Sequence, residues 1–340
     1  MGDEGRHLLQ VEKLDVFFPS VNGTIKAVDD VSFSIKSGEV FGLVGESGAG
    51  KSMTGRAILR LIPENGIMGG RIYFKGRDLV SLAKEEMRHV RGREITIVQQ
   101  DPLSSLNPAF KVRDQMTDVM KLHLGYDKEK AENYSVELLS RVGISDPISV
   151  LGKFPHQLSG GMLQRVMIAI AFSCQPSLTV ADEPTTALDV ITQALVIKLM
   201  KNMQASYKTS IMFITHNMGL AARFCDRIAI MYAGKIVEVG HTAQIFGSPQ
   251  HPYTKALLTA IPSLIEKKKP VNIEGSMPSL LNPPDYCRYY PRCPYRMPRC
   301  AEGPIPFFEM EDGSRAACLL LEGKERRISE ATETRRNALR

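Results

Sequence analysis

No apolar run in the 340 residues approaches the roughly 20 needed to cross a bilayer, which excludes a membrane-spanning helical subunit. The opening Met1-Gly2-Asp3-Glu4 is acidic and has no apolar core, so no secretory leader is expected. Met1-Gly2 begins a myristoylation pattern, but Arg6 stands where Ser or Thr is required. There is no internal repeat, and no two cysteines have the close spacing of a zinc knuckle. These absences predict a cytosolic chain, one that could still dock on a membrane protein. The net charge of +6 is mild; it suits an anionic nucleotide or an anionic membrane surface and demands neither. An apolar share of 43% and a charged share of 24% fit a soluble globular protein, long enough for a large α/β domain and a smaller one.

What is present is Gly45-Glu46-Ser47-Gly48-Ala49-Gly50-Lys51-Ser52: a glycine, four free positions, then Gly-Lys-Ser. Val40-Phe41-Gly42-Leu43-Val44 before it is short and apolar enough for a buried parallel strand. After it, from Met53, the residues Ala57, Ile58 and Leu61 fall at helical spacing. Strand, loop and helix in that order are the context a phosphate-binding loop needs. The glycines let backbone N–H groups curl around a phosphate chain, and the helix N-terminus behind them favours negative charge. Lys51 is placed to reach the β- and γ-phosphates and Ser52 to hold Mg²⁺, with residues 45–53 as the nucleotide-binding stretch.

Along the chain, residues 8–35 alternate in an antiparallel hairpin pattern around Ser20-Val21-Asn22-Gly23. Residues 71–74 and 94–98 read as strands. Residues 101–165 read as a helical insertion, with a helix at 162–173 following. Leu178-Thr179-Val180-Ala181 and residues 211–215 read as buried strands, separated by a long helix at 188–206; a helix at 217–224 follows, and 227–232 and 235–239 close the sheet. Strands alternating with helices predict a parallel sheet. After about residue 248 prolines recur, Lys267-Lys268-Lys269 appears, and four of the six cysteines cluster: Cys287, Cys293, Cys300 and Cys318. This reads as a small second module with little core of its own, for which a metal is one usual staple. The expected division is 1–250, 251–322 and a charged tail at 323–340, solvated helix or disordered.

Asp182-Glu183 ends a parallel strand beside the P-loop strand, where a first carboxylate suits Mg²⁺ and a second can act as general base. Leu158-Ser159-Gly160-Gly161 begins a helix and can bind an anion. Residues 45–52, Leu158-Ser159-Gly160-Gly161-Met162-Leu163-Gln164-Arg165 and Asp182-Glu183-Pro184, in this order and spacing, resemble the nucleotide-binding subunit of an ABC transporter over residues 8 to about 250. The resemblance implies an ABC ATPase core with an antiparallel β-subdomain and a helical subdomain. It implies that Gln100 senses Mg²⁺ and contacts the membrane subunit, that Ala187-Leu188-Asp189 is the D-loop, and that His216 binds the γ-phosphate. It also implies that Phe18 stacks on adenine, with Phe17 as rival. Two chains would face each other, so Ser159, Gly160 and Gly161 would cap ATP held by the partner.

A narrower resemblance lies toward the end. His251-Pro252-Tyr253-Thr254-Lys255-Ala256-Leu257-Leu258, Ile261-Pro262 and the cysteine set resemble the oligopeptide/dipeptide importer branch. So do Pro155-His156-Gln157, Asp101-Pro102 and Ser105-Leu106-Asn107-Pro108, although Leu158 and Leu163 stand where that branch often has other residues. The branch also contains importers of oligosaccharides and nickel. It implies two permease subunits, a second ATPase, an extracytoplasmic binding protein, and a place at the cytoplasmic face of the membrane. Gaps of five, six and seventeen residues between the four cysteines leave zinc, an iron–sulfur cluster or free thiols open. The branch resemblance implies a [4Fe–4S] cluster. Arg288, Arg292, Arg296 and Arg299, interleaved with tyrosines, invite a nucleic-acid reading, and a soluble ABC ATPase of nucleic acid is the rival class. The reading preferred here is that these arginines offset a negative cluster.

Overall fold

The computed structural model describes residues 7–186, 188–260 and 273–323. Ala187 of the expected D-loop, Ile261-Pro262, the Lys267–269 run and nearly all of the charged tail lie outside the described residues.

The chain opens with two long antiparallel strands, β1 (His7–Ser20) and β2 (Gly23–Lys36), followed by β3 (Val40–Val44) and α1 (Lys51–Ile58). Then come β4 (Ile67–Phe74), β5 (Arg77–Asp78), α2 (Lys84–Val90) and β6 (Ile95–Val98). A helical stretch follows: α3 (Pro102–Ser105), α4 (Val112–Leu124), α5 (Lys128–Arg141), α6 (Pro147–Leu151) and α7 (Gly160–Phe172). Next are β7 (Leu178–Asp182), α8 (Val190–Tyr207), β8 (Ser210–Thr215), α9 (Met218–Phe224), β9 (Arg227–Tyr232) and β10 (Lys235–His241). Two helices, α10 (Thr242–Gly247) and α11 (Pro252–Thr259), and two short strands, β11 (Phe308–Glu309) and β12 (Arg315–Ala316), complete the set.

Two sheets result. One is antiparallel, in the order β2-β1-β4-β5; the other has eight strands, β11-β12-β10-β9-β3-β8-β7-β6. Within the second, β9, β3, β8, β7 and β6 run parallel, as the alternation of strands and helices predicted. Every residue of β3, β7 and β8 is buried, because both faces of the sheet are covered. The two-residue period sorts the side chains. Phe41, Leu43, Met212 and Ile214 face the antiparallel sheet and α1, whereas Val40, Val44, Ile211 and Phe213 face the helical side. The Phe33 and Phe41 rings, stacked 5.1 Å apart, join the two sheets.

Two sequence expectations need correcting. The expected end of the helical insertion at 165 falls inside α7, which begins at Gly160 and whose Val166 and Ile168 join a core shared by the helical stretch and the sheet. Ser159 caps that helix, so the boundary falls at a cap rather than inside a helix. The end of the chain is also less separate than its composition suggested. β12 pairs with β10 and extends the main sheet, and Tyr289 enters a cluster with Tyr232 and Tyr253 at ring distances of 5.3 and 5.4 Å. Cys174 and Cys225 are buried core residues, and burial pushes both thiols up.

Candidate active site

The C-terminal ends of β3, β7 and β8 lie side by side, and the P-loop leaves the first of them. Its tightness explains its glycines. A side chain at Gly45 would meet the Met231 carbonyl oxygen at 2.1 Å, and one at Gly50, where φ is +102°, would meet the Ala27 carbonyl oxygen at 2.2 Å. The loop is thus wedged between β9 and β2, with only backbone between. The Gly234 N–H donates to the Ala49 carbonyl at 2.8 Å and pins its outer side.

Lys51 folds back over the loop. Its Nζ donates to the carbonyls of Gly45 (3.0 Å) and Glu46 (2.9 Å) and stands 3.9 Å from Glu183. Burial pushes its ammonium below the ordinary lysine value, against the pull of Glu183, Asp182 and Glu46. Ser52 Oγ donates to Asp182 Oδ1 at 2.7 Å, joining the helix start to the end of β7. Burial raises the Asp182 carboxyl, and the Ser52 bond only partly reverses it.

Glu183 is the hub. It sits just past β7 with φ +46°, a left-handed conformation that costs a non-glycine residue energy and that clusters at functional sites. Its N–H donates to the Ile214 carbonyl at 2.9 Å, tying it to β8. Its Oε2 accepts from Thr186 Oγ1 (2.8 Å), from His216 Nδ1 (3.0 Å) and, at 3.5 Å, from Gln100 Nε2. Burial alone would raise this carboxyl, but the Thr186 and His216 bonds, with Lys51 nearby, outweigh it and hold it below the usual range. It is therefore ionised, as a proton acceptor must be.

Lys51, Ser52, Gln100, Asp182, Glu183 and His216 are brought together by these contacts. Thr186 was missed; its signal was its place three residues after Glu183, within reach of the same turn. Ser159, Gly160 and Gly161 do not join them. Ser159 caps α7 through the Met162 N–H at 3.4 Å, and among the described residues no hydrogen bond links this stretch to the cluster. Ser159 and Gly160 are exposed. Phe18 lies on the face of β1 that carries Val16, partly buried against the core, whereas the Phe17 ring takes Lys26 Nζ at 5.9 Å.

Cys287, Cys293, Cys300 and Cys318 line one cavity with Tyr290 and Arg296. The Cys287 N–H donates to the Cys300 carbonyl at 3.2 Å, and burial pushes the Cys287 thiol up to about 11 and raises those of Cys293 and Cys318. Among the described residues, no three His, Cys, Asp or Glu side chains converge closely enough to hold a single metal ion. The interleaved arginines do not act together as expected. Arg288 pairs with Asp29, Arg292 with Glu46 and Arg299 with Glu322; Arg296 alone borders the thiol cavity. Carboxylates of the ATPase core lie within reach, and they compete for the guanidinium groups.

With this geometry in hand, comparison with known proteins is decisive. The ABC transporter family model matches residues 28–186, and the model of the oligopeptide/dipeptide transporter C-terminal region matches residues 237–300. The dipeptide transport ATP-binding protein DppD of Escherichia coli is 43% identical over 92% of this chain and 96% of its own length. This chain belongs to the oligopeptide/dipeptide branch of ABC transporter ATP-binding subunits. The oligopeptide transport ATP-binding protein OppD of Bacillus subtilis is 45% identical over 90% of this chain and 86% of its own. Among solved structures, a dimeric post-hydrolysis state of the ATP-binding cassette MJ0796 with ADP and Pi superposes with a TM-score of 0.62. It is 25% identical and covers 69% of this chain and 98% of that one. The subunit therefore has the ABC ATPase fold and is an ATP-hydrolysing transporter component. Among the described residues, no helix is long and apolar enough to cross a membrane.

Proposed function

We propose that this subunit hydrolyses ATP to drive import of peptides, docked at the cytoplasmic face of a membrane on two permease subunits that receive solute from an extracytoplasmic binding protein. The observation that carries the ATPase reading is the convergence of Lys51, Ser52, Asp182, Glu183 and His216 on one row of strand ends. In this reading residues 45–53 wrap the phosphates through backbone N–H groups, and Lys51 leaves its carbonyl partners for the β- and γ-phosphates. The Ser52 hydroxyl and Asp182 carboxylate form an oxygen donor pair that suits Mg²⁺. That ion, when bound, offsets phosphate charge. Glu183, ionised and aimed by Thr186 and His216, accepts the proton of the attacking water. Gln100, at the boundary of sheet and helical region, relays the state of the site toward the permeases. Phe18 is assigned to the adenine. Ser159, Gly160 and Gly161 serve the nucleotide of a second ATPase subunit, like or identical to this one, which fits their exposure and their distance in the bonding pattern from the cluster.

The cysteine-lined cavity is read as the seat of a [4Fe–4S] cluster in a C-terminal module spanning residues 251–322. Four thiols around one cavity supply its ligand set. Anaerobically purified protein is expected to carry about four irons with acid-labile sulfide; one zinc would overturn this assignment and leave the ATPase reading intact. The function itself is tested by uptake. Cells carrying Glu183→Gln should lose uptake of labelled di- and oligopeptides and keep that of nickel and oligosaccharides; the reverse pattern reassigns the solute.

A further inference from the structure

Glu46 places a carboxylate at the second position of a loop whose ligand is a polyanion. Left free, that charge would oppose the phosphates. The structure holds it at three points. Its N–H donates to the Tyr253 hydroxyl at 3.0 Å, its carbonyl accepts from Lys51 Nζ at 2.9 Å, and both of its carboxylate oxygens accept from Arg292 Nη1 at 3.1 Å. Tyr253 belongs to α11, and Arg292 stands immediately before Cys293 in the thiol-lined region.

Arg292 is committed to this task. Its side chain is only 6% exposed. The rings of Tyr232 and Tyr289 lie 5.7 and 5.9 Å from its guanidinium carbon. Its Nε donates to the Glu274 carbonyl at 2.9 Å, and its Nη1 also reaches the Tyr232 hydroxyl at 3.3 Å. The same segment touches the loop a second time: a Cβ on Gly48 would stand 3.1 Å from the Met277 methyl carbon. The Glu46 side chain is 28% exposed, so the pair lies between an exposed one, which contributes little, and an enclosed one, which leaves a stranded charge when one partner is removed. Here the stranded charge would be a carboxylate beside the phosphate seat.

We infer that Arg292 is a positioning residue for nucleotide binding, through which the C-terminal region neutralises Glu46 and so sets the affinity of the P-loop for ATP. This rests on the ATP reading of the P-loop. Nothing local in the sequence links the two, since Glu46 and Arg292 are 246 positions apart.

The test is equilibrium binding of a fluorescent ATP analogue with Mg²⁺ to the full-length chain. Wild type and Lys51→Ala examine the ATP reading alone: binding by the first and its loss in the second uphold it, and no binding by wild type overturns both readings. Arg292→Gln keeps most of the packing and removes the charge; it should weaken binding about tenfold, about 1.4 kcal/mol. The double variant Glu46→Gln/Arg292→Gln, with no charge to strand, should return to within about threefold of wild type, and Arg292→Lys should fall between. A purely structural role would not be rescued by deleting a second charge. Wild-type affinity in Arg292→Gln, or a double variant as weak as the single one, overturns the inference. Should Arg292→Gln lose its native circular dichroism, the double variant decides alone: near-wild-type affinity upholds the inference and a tenfold loss overturns it.

Discussion

The strand-end cluster and the C-terminal region are stabilised in opposite ways. Around Glu183 the backbone does the placing. Parallel strands β3, β7 and β8 end in register; Asp182 is the last residue of β7, His216 directly follows β8, and Lys51 stands at the far side of the loop that leaves β3. Among the described residues the C-terminal region has no long element after α11; it consists there of turns, short 3₁₀ segments and two-residue strands. Its position depends on side chains that reach far across the chain: Arg288 to Asp29, Arg292 to Glu46, Asn282 Oδ1 to the Thr24 N–H. Chemistry needs the first kind of support, where geometry follows from hydrogen-bonded strands. The second kind makes one part of a protein responsive to another, because a few removable contacts carry the coupling.

The sharpest way to break the contrast is at Glu183. Glu183→Gln should lower ATP turnover in the assembled transporter by about 10²–10⁴, the range for a general base, with nucleotide affinity little changed. If affinity fell with turnover, the hub would be holding the site together rather than acting on water. Next comes Arg288, whose side chain is 2% exposed against Asp29 at 10%. Arg288→Ala leaves the Asp29 carboxylate with only Lys235 at 3.4 Å and Lys26 at 3.9 Å and should cost about 1.5–3 kcal/mol in urea unfolding of the full chain. A cost below about 1 kcal/mol, as for exposed pairs, would show the C-terminal region to be loosely attached.

The smallest effect is a pH dependence at His251. This ring is 1% exposed, and its Nδ1 accepts the Tyr253 N–H at 3.0 Å, so it is the neutral Nε2–H tautomer. Burial, with some help from Lys255, lowers it from 6.5 to about 3. The unfolded chain therefore takes up a proton below about pH 6.5 while the folded chain does not until about pH 3. Stability is whole above 6.5 and falls as pH drops through that window. Between pH 7.5 and 5.5 this ring should account for about 1.4 kcal/mol of the loss. His251→Asn keeps a cap for α11 and removes the titration. Its stability should fall less over the same interval, read by thermal unfolding at each pH; an unchanged slope would assign the acid sensitivity to other groups.

What could be read in the sequence divides along the same line. Lys51, Asp182 and Glu183 were legible because each stands at or shortly after the end of an apolar strand whose burial the hydrophobic run announces, whereas His216 was named only through the family resemblance. Ser159 was legible as a helix cap for the same local reason. The ties of Arg288 and Arg292 were not, since nothing in a run of alternating arginines and tyrosines says which distant carboxylate each will meet. The arginines looked like a set serving the thiols because they stand beside them in sequence. In the fold, only Arg296 borders that cavity, and two of the others are drawn to the ATPase core. Pro and Gly spacing marked the region as irregular, but its pairing with β10 rests on two-residue strands, too short to show a period.

That pairing has a consequence for anyone who would trim the protein. β12 covers the outer side of β10 at Glu238 and Val239, and the Ala317 N–H donates to the Val237 carbonyl at 2.8 Å. A chain cut after residue 260 would keep every ATPase motif but would bare this edge of β10, whose sequence Lys235-Ile236-Val237-Glu238-Val239 contains no proline. An open strand edge, with its backbone N–H and C=O groups unpaired, is a template on which further chains can add. A minimal cassette made by truncation should therefore precipitate more readily than the full chain.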